Sequence, residues 1–361
     1  DFDSTSYKFP SQLFQNNGNE TFTDISGKAN VKNLGYCKGS AWGDYDNDGD
    51  LDLYVSNFAS ENRLYKNNGD STFTDIAKDL KIQNPISSFT TWFWDFNNDG
   101  ALDIFVANYK SEDGTHRVAR SYLGLPHKSE TLCLYQGDGK GGFNEVSLEQ
   151  KLTQLSIPMG ANFGDLDNDG FPDFYLGTGY PNYEALMPNQ MYHNQGGNGF
   201  SNITTAGGFG HLQKGHAVVF ADLDNDGDQD VFEQMGGAYP GDGFVDVLFE
   251  NPGFKNHWIK LKLIGTKSNR AAIGARIRVE MTEQGKKRSV YCHVNSGGSF
   301  GASPLRKEIG LGKAESIDLL EIHWPTSGMT QTFSGIKVDS CVEIREGEKK
   351  YKYFSLPKIQ F

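Results

Sequence analysis

Carboxylates with a fixed spacing recur at four places in this chain of 361 residues. Each copy follows the pattern D-x-[DN]-x-D-G-x-x-D, which places oxygen ligands at alternate positions, a glycine at the sixth and a closing carboxylate at the ninth. This spacing is typical of a Ca²⁺ loop, because Ca²⁺ prefers about six to eight oxygen ligands and the glycine allows a sharp turn around it. The closing acid stands at position nine rather than at about position twelve, so the loops are not EF-hands.

We expect side-chain ligands from positions one, three, five and nine of each loop, and a main-chain carbonyl from position seven. A solvated acidic turn would explain a single copy, but not four copies with one spacing. The second loop has Asn97 at position three, so we expect it to bind calcium most weakly. The sequence therefore predicts about four Ca²⁺ ions, held by Asp44, Asp46, Asp48, Asp50, Asp52, Asp95, Asn97, Asp99, Ala101, Asp103, Asp165, Asp167, Asp169, Phe171, Asp173, Asp222, Asp224, Asp226, Asp228 and Asp230.

The acidity of the chain is concentrated in these loops. Lys and Arg number 34 and Asp and Glu number 46, which gives a net charge of -12, and seventeen of the acids lie in the four loops. The negative charge is therefore explained by metal-site chemistry, and nothing in it favours nucleic-acid binding. No apolar run approaches the roughly 20 residues of a transmembrane segment. Because such loops are usually filled where calcium is near millimolar, we expect a secreted or cell-surface protein.

Short apolar strands flank every calcium loop. The loops are preceded by SAWG, TWFW, ANFG and VVFA. They are closed and followed by LDLYVSN, LDIFVAN, PDFYLGT and QDVFEQM. A hairpin signature, an aromatic strand followed by an Asn/Gly turn and a second strand, begins at Leu13, Leu64, Leu134 and Met191, and in shortened form at Leu248. Strand, loop, strand and hairpin together make one four-stranded propeller blade. The sequence therefore predicts an all-β protein, with a propeller of four to five blades over residues 1–255.

The pattern changes at Asn256, where the acidic loops stop and longer alternating strands begin. This change predicts a small β-sandwich-like domain at residues 256–347, followed by a tail at residues 348–361. Cys292 and Cys341 both lie in this region. They could form a disulfide in an oxidising compartment or remain buried free thiols.

These motifs resemble two known families. The acidic loops followed by LYKNNGDSTFTD are similar to FG-GAP/VCBS repeats, which are found in integrin α-subunits, and NHWIKLKLIGTKSNRAAIGARIRV, IGLG and LEIHWPTSG resemble the ASPIC/UnbV domain. The pairing of the two, from about Leu13 to Gly347, is similar to that of the cartilage acidic protein family and its bacterial relatives. The resemblance implies a secreted, calcium-loaded propeller that carries a small β-domain and serves in binding or adhesion.

Other residues suggest chemistry beyond calcium binding. An insertion at Lys110–Glu130, which we expect to be a long loop, carries His116, Arg120 and Tyr122, which could supply an acid, a base and an aromatic wall. His216 is a further catalytic candidate. The leading hypothesis is a module that binds a glycan or protein ligand. The alternative is an enzyme, such as a lyase, hydrolase or cyclase, that acts on a small molecule or glycan at the central face of the propeller.

Two other segments have competing interpretations. Met187, Met191 and His193 could be soft copper ligands, but core packing of the methionines is favoured. The glycine-serine segment Ser296–Ser303 could present backbone N–H groups to a ligand, but we expect a flexible connector between strands.

Overall fold

The computed structural model describes residues 10–109, 115–179, 187–237, 243–298 and 300–360. Strands dominate these residues, and they contain a single helix. The chain divides into two compact units. The first comprises Asp1–Phe93, Leu102–Leu148 and Leu152–Pro158, and the second comprises Trp94–Ala101, Glu149–Lys151 and Met159–Phe361.

The strands before the sandwich form small sheets in chain order. A two-stranded sheet pairs β1 (Phe14–Asn16) with β2 (Phe22–Asp24). The next two sheets have four strands each: β3 (Tyr36–Gly43), β4 (Asp52–Phe58), β5 (Arg63–Asn67) and β6 (Phe73–Asp75), then β7 (Ser88–Trp94), β8 (Asp103–Asn108), β9 (Cys133–Gly137) and β10 (Phe143–Glu145). Two further sheets contain β11 (Pro158–Gly164), β12 (Asp173–Thr178), β13 (Gln190–Asn194) and β14 (Phe200–Asn202), then β15 (Lys214–Ala221), β16 (Asp230–Gly236) and β17 (Val247–Phe249).

In each of the last four sheets the neighbouring strands are consecutive in the chain, and the resolved pairings are antiparallel. This up-and-down order is that of a propeller blade. An acidic loop always connects the first strand to the second, and its closing aspartate is the first residue of the second strand. The predicted all-β, propeller-like fold is confirmed. The strand predicted at Leu248 is β17, the third strand of the sheet that begins with β15.

Apolar side chains from the first and second strands fill the blades. Every residue of β4, β7 and β8 is buried, including the polar ones. Trp92 stacks on Phe105, with 4.0 Å between ring centroids. Met191 packs with Tyr175 and Phe220 in a core cluster, and Met187 is also buried. The methionines therefore have the core role that the sequence favoured.

Two four-stranded sheets make up the C-terminal region. One has the order β21 (Lys307–Gly312), β18 (His257–Ile264), β24 (Ser340–Arg345), β25 (Lys352–Phe354), and the other β20 (Lys286–His293), β19 (Arg276–Glu283), β22 (Ile317–His323), β23 (Thr330–Phe333). Side chains from both sheets share one apolar core, as in a sandwich. All four cysteines are free thiols, so Cys292 and Cys341 are not bridged.

The described part of the insertion contains helix α1 (Thr115–Tyr122) where the sequence analysis expected a loop. The helix ends with Leu125 N–H donating to the Arg120 carbonyl at 2.8 Å, across Gly124 at φ +65°. A glycine in the left-handed region is a common helix terminator. Residues 110–114 of the predicted insertion lie outside the described residues.

Candidate functional site

The acidic loops share one set of hydrogen bonds. In the first loop, the two carboxylate oxygens of Asp44 accept N–H groups from Asp48 (3.1 Å) and Gly49 (3.2 Å). Asn47 has φ +62° and Gly49 has φ +95°, which suits asparagine and glycine. The other loops repeat these bonds at 2.8–3.2 Å, from positions five and six to the first-position carboxylates of Asp95, Asp165 and Asp222. The turn itself is therefore fixed by the chain.

The closing aspartate ties each loop to its sheet. Asp52 accepts the N–H of Asn67 on the third strand at 2.8 Å and that of Tyr45 in the loop at 3.3 Å. Asp173 and Asp230 make the corresponding pairs of bonds. These carboxylates are almost fully buried. Burial raises the pKa of Asp52 to about 7 and that of Asp173 to about 8, so a nearby cation would favour their ionised forms.

Three loops gather carboxylates closely enough to hold a metal ion. Their ligand atoms lie within 4.8 Å of one another, in the groups Asp44, Asp46 and Asp48; Asp165, Asp167 and Asp169; and Asp222, Asp224 and Asp230. In the first group, the side chain of Asp46 is only 8% exposed and its Oδ1 has no hydrogen-bond partner in the described structure. A buried oxygen of this kind needs a proton or cation nearby. An all-oxygen donor set fits Ca²⁺.

The second loop differs from the others. Asn97 donates its amide to Asp99 Oδ2 at 2.8 Å and accepts the Asp99 N–H at 3.3 Å. An amide therefore occupies the place where the other loops present a third-position carboxylate. Among the described residues, no group of three candidate ligands forms in this loop. The expectation that it binds calcium most weakly stays a prediction, and this arrangement agrees with it.

Cationic side chains contact the carboxylates of the other three loops. Lys66 on β5 pairs with Asp46 and lies 3.5 Å from Asp48. On β13, His193 Nε2 lies 3.1 Å from Asp167 Oδ2. The hydrogen bond from Lys66 to Asp46 raises the lysine's pKa, and the bond between His193 and Asp167 raises the histidine's pKa to about 9.

The fourth loop receives its cation from the C-terminal sandwich. Lys260 on β18 forms an ion pair with Asp222, and both side chains are buried. Burial lowers the pKa of Lys260 to about 8. The sequence analysis missed all three cations, because each comes from a strand that is separated in sequence from the loop it contacts. The only sequence signal is that Lys66 and His193 occupy the same place in their repeats, LYKN and MYHN.

The fourth-position asparagines connect successive acidic loops, a role the sequence analysis did not assign. In the second unit, the amide of Asn98 donates to the carbonyl of Gly170 in the third loop at 2.7 Å, and that of Asn168 to Gly227 in the fourth loop at 3.1 Å. The amide of Asn225 donates to the Pro357 carbonyl in the tail at 2.9 Å. The signal was visible, since position four is asparagine in every copy.

The catalytic candidates are divided between the two compact units. His116, Arg120 and Tyr122 lie on α1, where His116 and Tyr122 are exposed and Arg120 Nε donates to the Pro126 carbonyl at 2.7 Å. His216 lies on β15 in the other compact unit, beside Gly236.

The glycine-serine segment Ser296–Ser303 is anchored, so the expectation of a flexible connector is wrong for its described residues. The Val218 N–H of β15 donates to the Phe300 carbonyl at 3.1 Å, and Gly298 N–H donates to Asn162 Oδ1 on β11 at 2.7 Å. Asn162 in turn donates to Ser303 Oγ at 3.0 Å. The segment is therefore held against two first strands of the blades.

Comparison with known families matches both parts of the chain. A model described as FG-GAP-like repeat matches residues 5–55, 44–106, 95–176 and 179–233. A model described as ASPIC and UnbV matches residues 265–351.

Among curated proteins, the chain is similar to cartilage acidic protein 1 from three organisms. It is 24% identical to the Homo sapiens protein over 331 residues, which is 89% of this chain and 46% of that protein. It is 24% identical to the Xenopus tropicalis protein over 330 residues, 85% of this chain and 44% of that protein. The Mus musculus protein is 31% identical over 222 residues, 58% of this chain and 31% of that protein. The chain thus spans less than half the length of these relatives.

A solved structure, SapL1 lectin in complex with alpha methyl fucoside, aligns over 88% of this chain and 95% of its own, at 10% identity and a TM-score of 0.30. That score is too low to support an argument about fold or ligand. Within the described residues, no helix has the length and apolar character needed to cross a membrane.

The FG-GAP-like matches cover more than half of the chain and include all four acidic loops. The chain belongs to the FG-GAP-like repeat family and carries a C-terminal ASPIC/UnbV domain.

Proposed function

We propose that the chain is a calcium-stabilised β-propeller module that binds a protein ligand outside the cytosol, where calcium is near millimolar. The observation that carries the calcium assignment is the buried, unpartnered Oδ1 of Asp46 beside Asp44 and Asp48. Carboxylates this close repel one another, and a divalent cation converts that repulsion into attraction. In this proposal the ion is structural, because the loop joins the first two strands of a blade.

Asp44, Asp46, Asp48 and Asp52 would hold the first ion, with the carbonyl of Asp50. The ion would supply positive charge and fix the direction of the loop. The chain's own residues already shape the turn, and the closing aspartate joins it to the third strand. Ion binding would therefore stiffen a blade edge and would leave the fold class unchanged.

The described part of the insertion supports the binding role. Three large side chains at the end of α1 are exposed: Tyr122 (40%), Leu123 (72%) and Leu125 (45%). Adjacent exposed apolar side chains mark protein–protein contact sites more often than sites of chemistry. This composition favours a protein ligand over a glycan.

Calcium binding is tested by counting bound ions with equilibrium dialysis in ⁴⁵Ca²⁺ for the wild type, Asp46→Asn and Asp50→Asn. Both substitutions remove one charge from the same loop, but the proposal assigns only the Asp46 side chain to the ion. We expect Asp46→Asn to lose one bound ion at millimolar calcium and Asp50→Asn to retain it. A wild type that binds no calcium at that concentration would refute the assignment.

Ligand binding is tested by applying the calcium-loaded protein to immobilised extracellular-matrix proteins and to a glycan array. Binding to a matrix protein should fall when Leu123 and Leu125 are both changed to Ser. Leu148→Ser, which alters an equally exposed leucine outside the insertion (71% exposed), is the matched control. Binding to glycans alone, or equal loss in the control, would contradict the proposed surface.

A further inference from the structure

A cavity of ≈ 80 Å³ is lined by residues of the second compact unit. One wall is aromatic and consists of Trp94, Phe163 and Phe220. The lining also includes Arg306 and Lys307, where β21 begins. This volume exceeds several-fold the roughly 10–15 Å³ needed for one water molecule, so a ligand of a few non-hydrogen atoms fits.

The cationic groups in the wall have N–H donors that make no hydrogen bond within the described structure. Arg306 Nη2 donates to Glu308 Oε1 at 2.9 Å, but Arg306 Nε is buried and has no partner in the described structure. The side-chain ammonium of Lys307 makes no hydrogen bond or ion pair with any described residue. Its pKa is lowered by burial. A buried donor without an acceptor, such as Arg306 Nε, is costly, and a bound anion would relieve that cost.

The acidic groups in the wall, by contrast, already accept hydrogen bonds from the chain. Glu308 Oε2 accepts the N–H of Asp222 and the amide of Gln229, each at 3.1 Å. Both oxygens of Asp165 and both oxygens of Asp95 accept N–H groups within their own loops at 2.8–3.2 Å. The hydrogen-bonding capacity left over in the cavity is therefore mainly that of donors.

Two other titratable groups in the wall add no charge near neutral pH. Burial lowers the pKa of His293 to about 3 and raises that of Cys292 to about 11. His293 is further held by the amide of Asn295, 2.7 Å from its Nε2. Arg306 and Lys307 are thus the positive groups in the cavity, and Arg306 is the one that pairs with Glu308.

We propose that this cavity is a binding site for a small carboxylate, such as a short-chain or aromatic acid. The carboxylate accepts hydrogen bonds from Lys307 Nζ and Arg306 Nε, and its apolar end packs on the wall of Trp94, Phe163 and Phe220. Charge-assisted hydrogen bonds of this kind are the strong ones. The aromatic wall distinguishes the class from inorganic oxyanions, which have no apolar end to bury.

The test is calorimetric titration of the intact protein at fixed millimolar calcium with acetate, propionate, benzoate, phosphate and sulfate. We expect saturable binding of a carboxylate, stronger for propionate or benzoate than for acetate, and at least ten-fold weaker in Lys307→Met. The matched control is Lys262→Met, a lysine on β18 with 54% side-chain exposure that pairs with Glu343 at 2.9 Å. That control should bind as the wild type does.

Thermal unfolding without ligand shows whether Lys307→Met has failed to fold. Because the variant removes an unpartnered ammonium from a half-buried position, its melting temperature should equal or exceed that of the wild type. Absence of saturable carboxylate binding to the wild type would overturn the proposal. Equal affinity for phosphate or sulfate, or full binding by a folded Lys307→Met, would also overturn it.

Discussion

The first and fourth acidic loops have the same five aspartates but different cationic partners. In the first loop, Lys66 is 36% exposed and comes from the same blade. In the fourth, Lys260 comes from the C-terminal sandwich, and it and Asp222 are 2% and 0% exposed in their side chains. An ion pair with an exposed cation contributes less stability than a fully buried pair, which cannot lose a partner without leaving an uncompensated charge. The same sequence motif therefore occurs in two electrostatic settings. The first loop is open to an added ion, whereas in the fourth loop Lys260 already compensates the charge of Asp222.

The largest expected change in the free energy of unfolding comes from breaking the buried ion pair between Lys260 and Asp222. Lys260→Met should lower the free energy of unfolding by about 3–5 kcal/mol, because it leaves Asp222 charged and buried. The corresponding change in the first loop, Lys66→Met, should cost less than about 1 kcal/mol. Urea denaturation in EDTA measures both. Equal losses in the two variants would remove the distinction between the loops.

An intermediate effect concerns the dependence on calcium. Asp48→Ala should abolish the stabilisation that an ion gives the first loop, about 2.7 kcal/mol when calcium is 100 times its dissociation constant. It should change little in EDTA. Asp226→Ala, at the same position of the fourth loop, should show a smaller calcium-dependent loss because Lys260 already compensates Asp222.

The measurement is the melting temperature of both variants, with and without calcium. If Asp48→Ala lowers the melting temperature equally in calcium and in EDTA, the ion has no structural role in that loop. If Asp226→Ala shows the larger calcium-dependent loss, the contrast between the loops is reversed.

The smallest expected effect on the free energy of unfolding is in the third loop, where the cationic partner is His193 instead of a lysine. The hydrogen bond to Asp167 raises the pKa of His193 to about 9, against about 6.5 unfolded. Stabilisation by a raised pKa is complete below pH 6.5 and is lost as the pH rises through 9. Since His193 is partly exposed (27%), we expect less than about 1 kcal/mol.

The measurement compares the wild type with His193→Gln in calcium-free urea unfolding between pH 6 and 10. The stability difference should shrink towards alkaline pH. A difference that is constant or grows with pH would show that His193 is not acting as a cation beside Asp167.

The periodic features of the chain were predictable, because they depend on residues close in sequence. The acidic spacing and the hairpin signature indicated the loops, the strands beside them and the blade topology. The alternating strands after Asn256 likewise indicated the sandwich. In each case local propensity and the inside–outside pattern agree with the final structure.

The features that were missed depend on tertiary contacts. Nothing near Lys260 in the sequence indicates Asp222, which is brought to it by packing of β18. Helix α1 is only 8 residues long and mostly polar, so the sequence around it was interpreted as a loop. The glycine-serine segment has the composition of a linker, yet its backbone is bonded to β11 and β15.

The asparagine amides that run from the second loop to the third, from the third to the fourth, and from the fourth to the tail join these turns in series. Ordering one turn lowers the conformational entropy that its neighbour must still lose. Should these turns take up ions, they would not fill as independent sites. Their titration curve would be steeper than a simple hyperbola, and severing the link at Asn168 would flatten it.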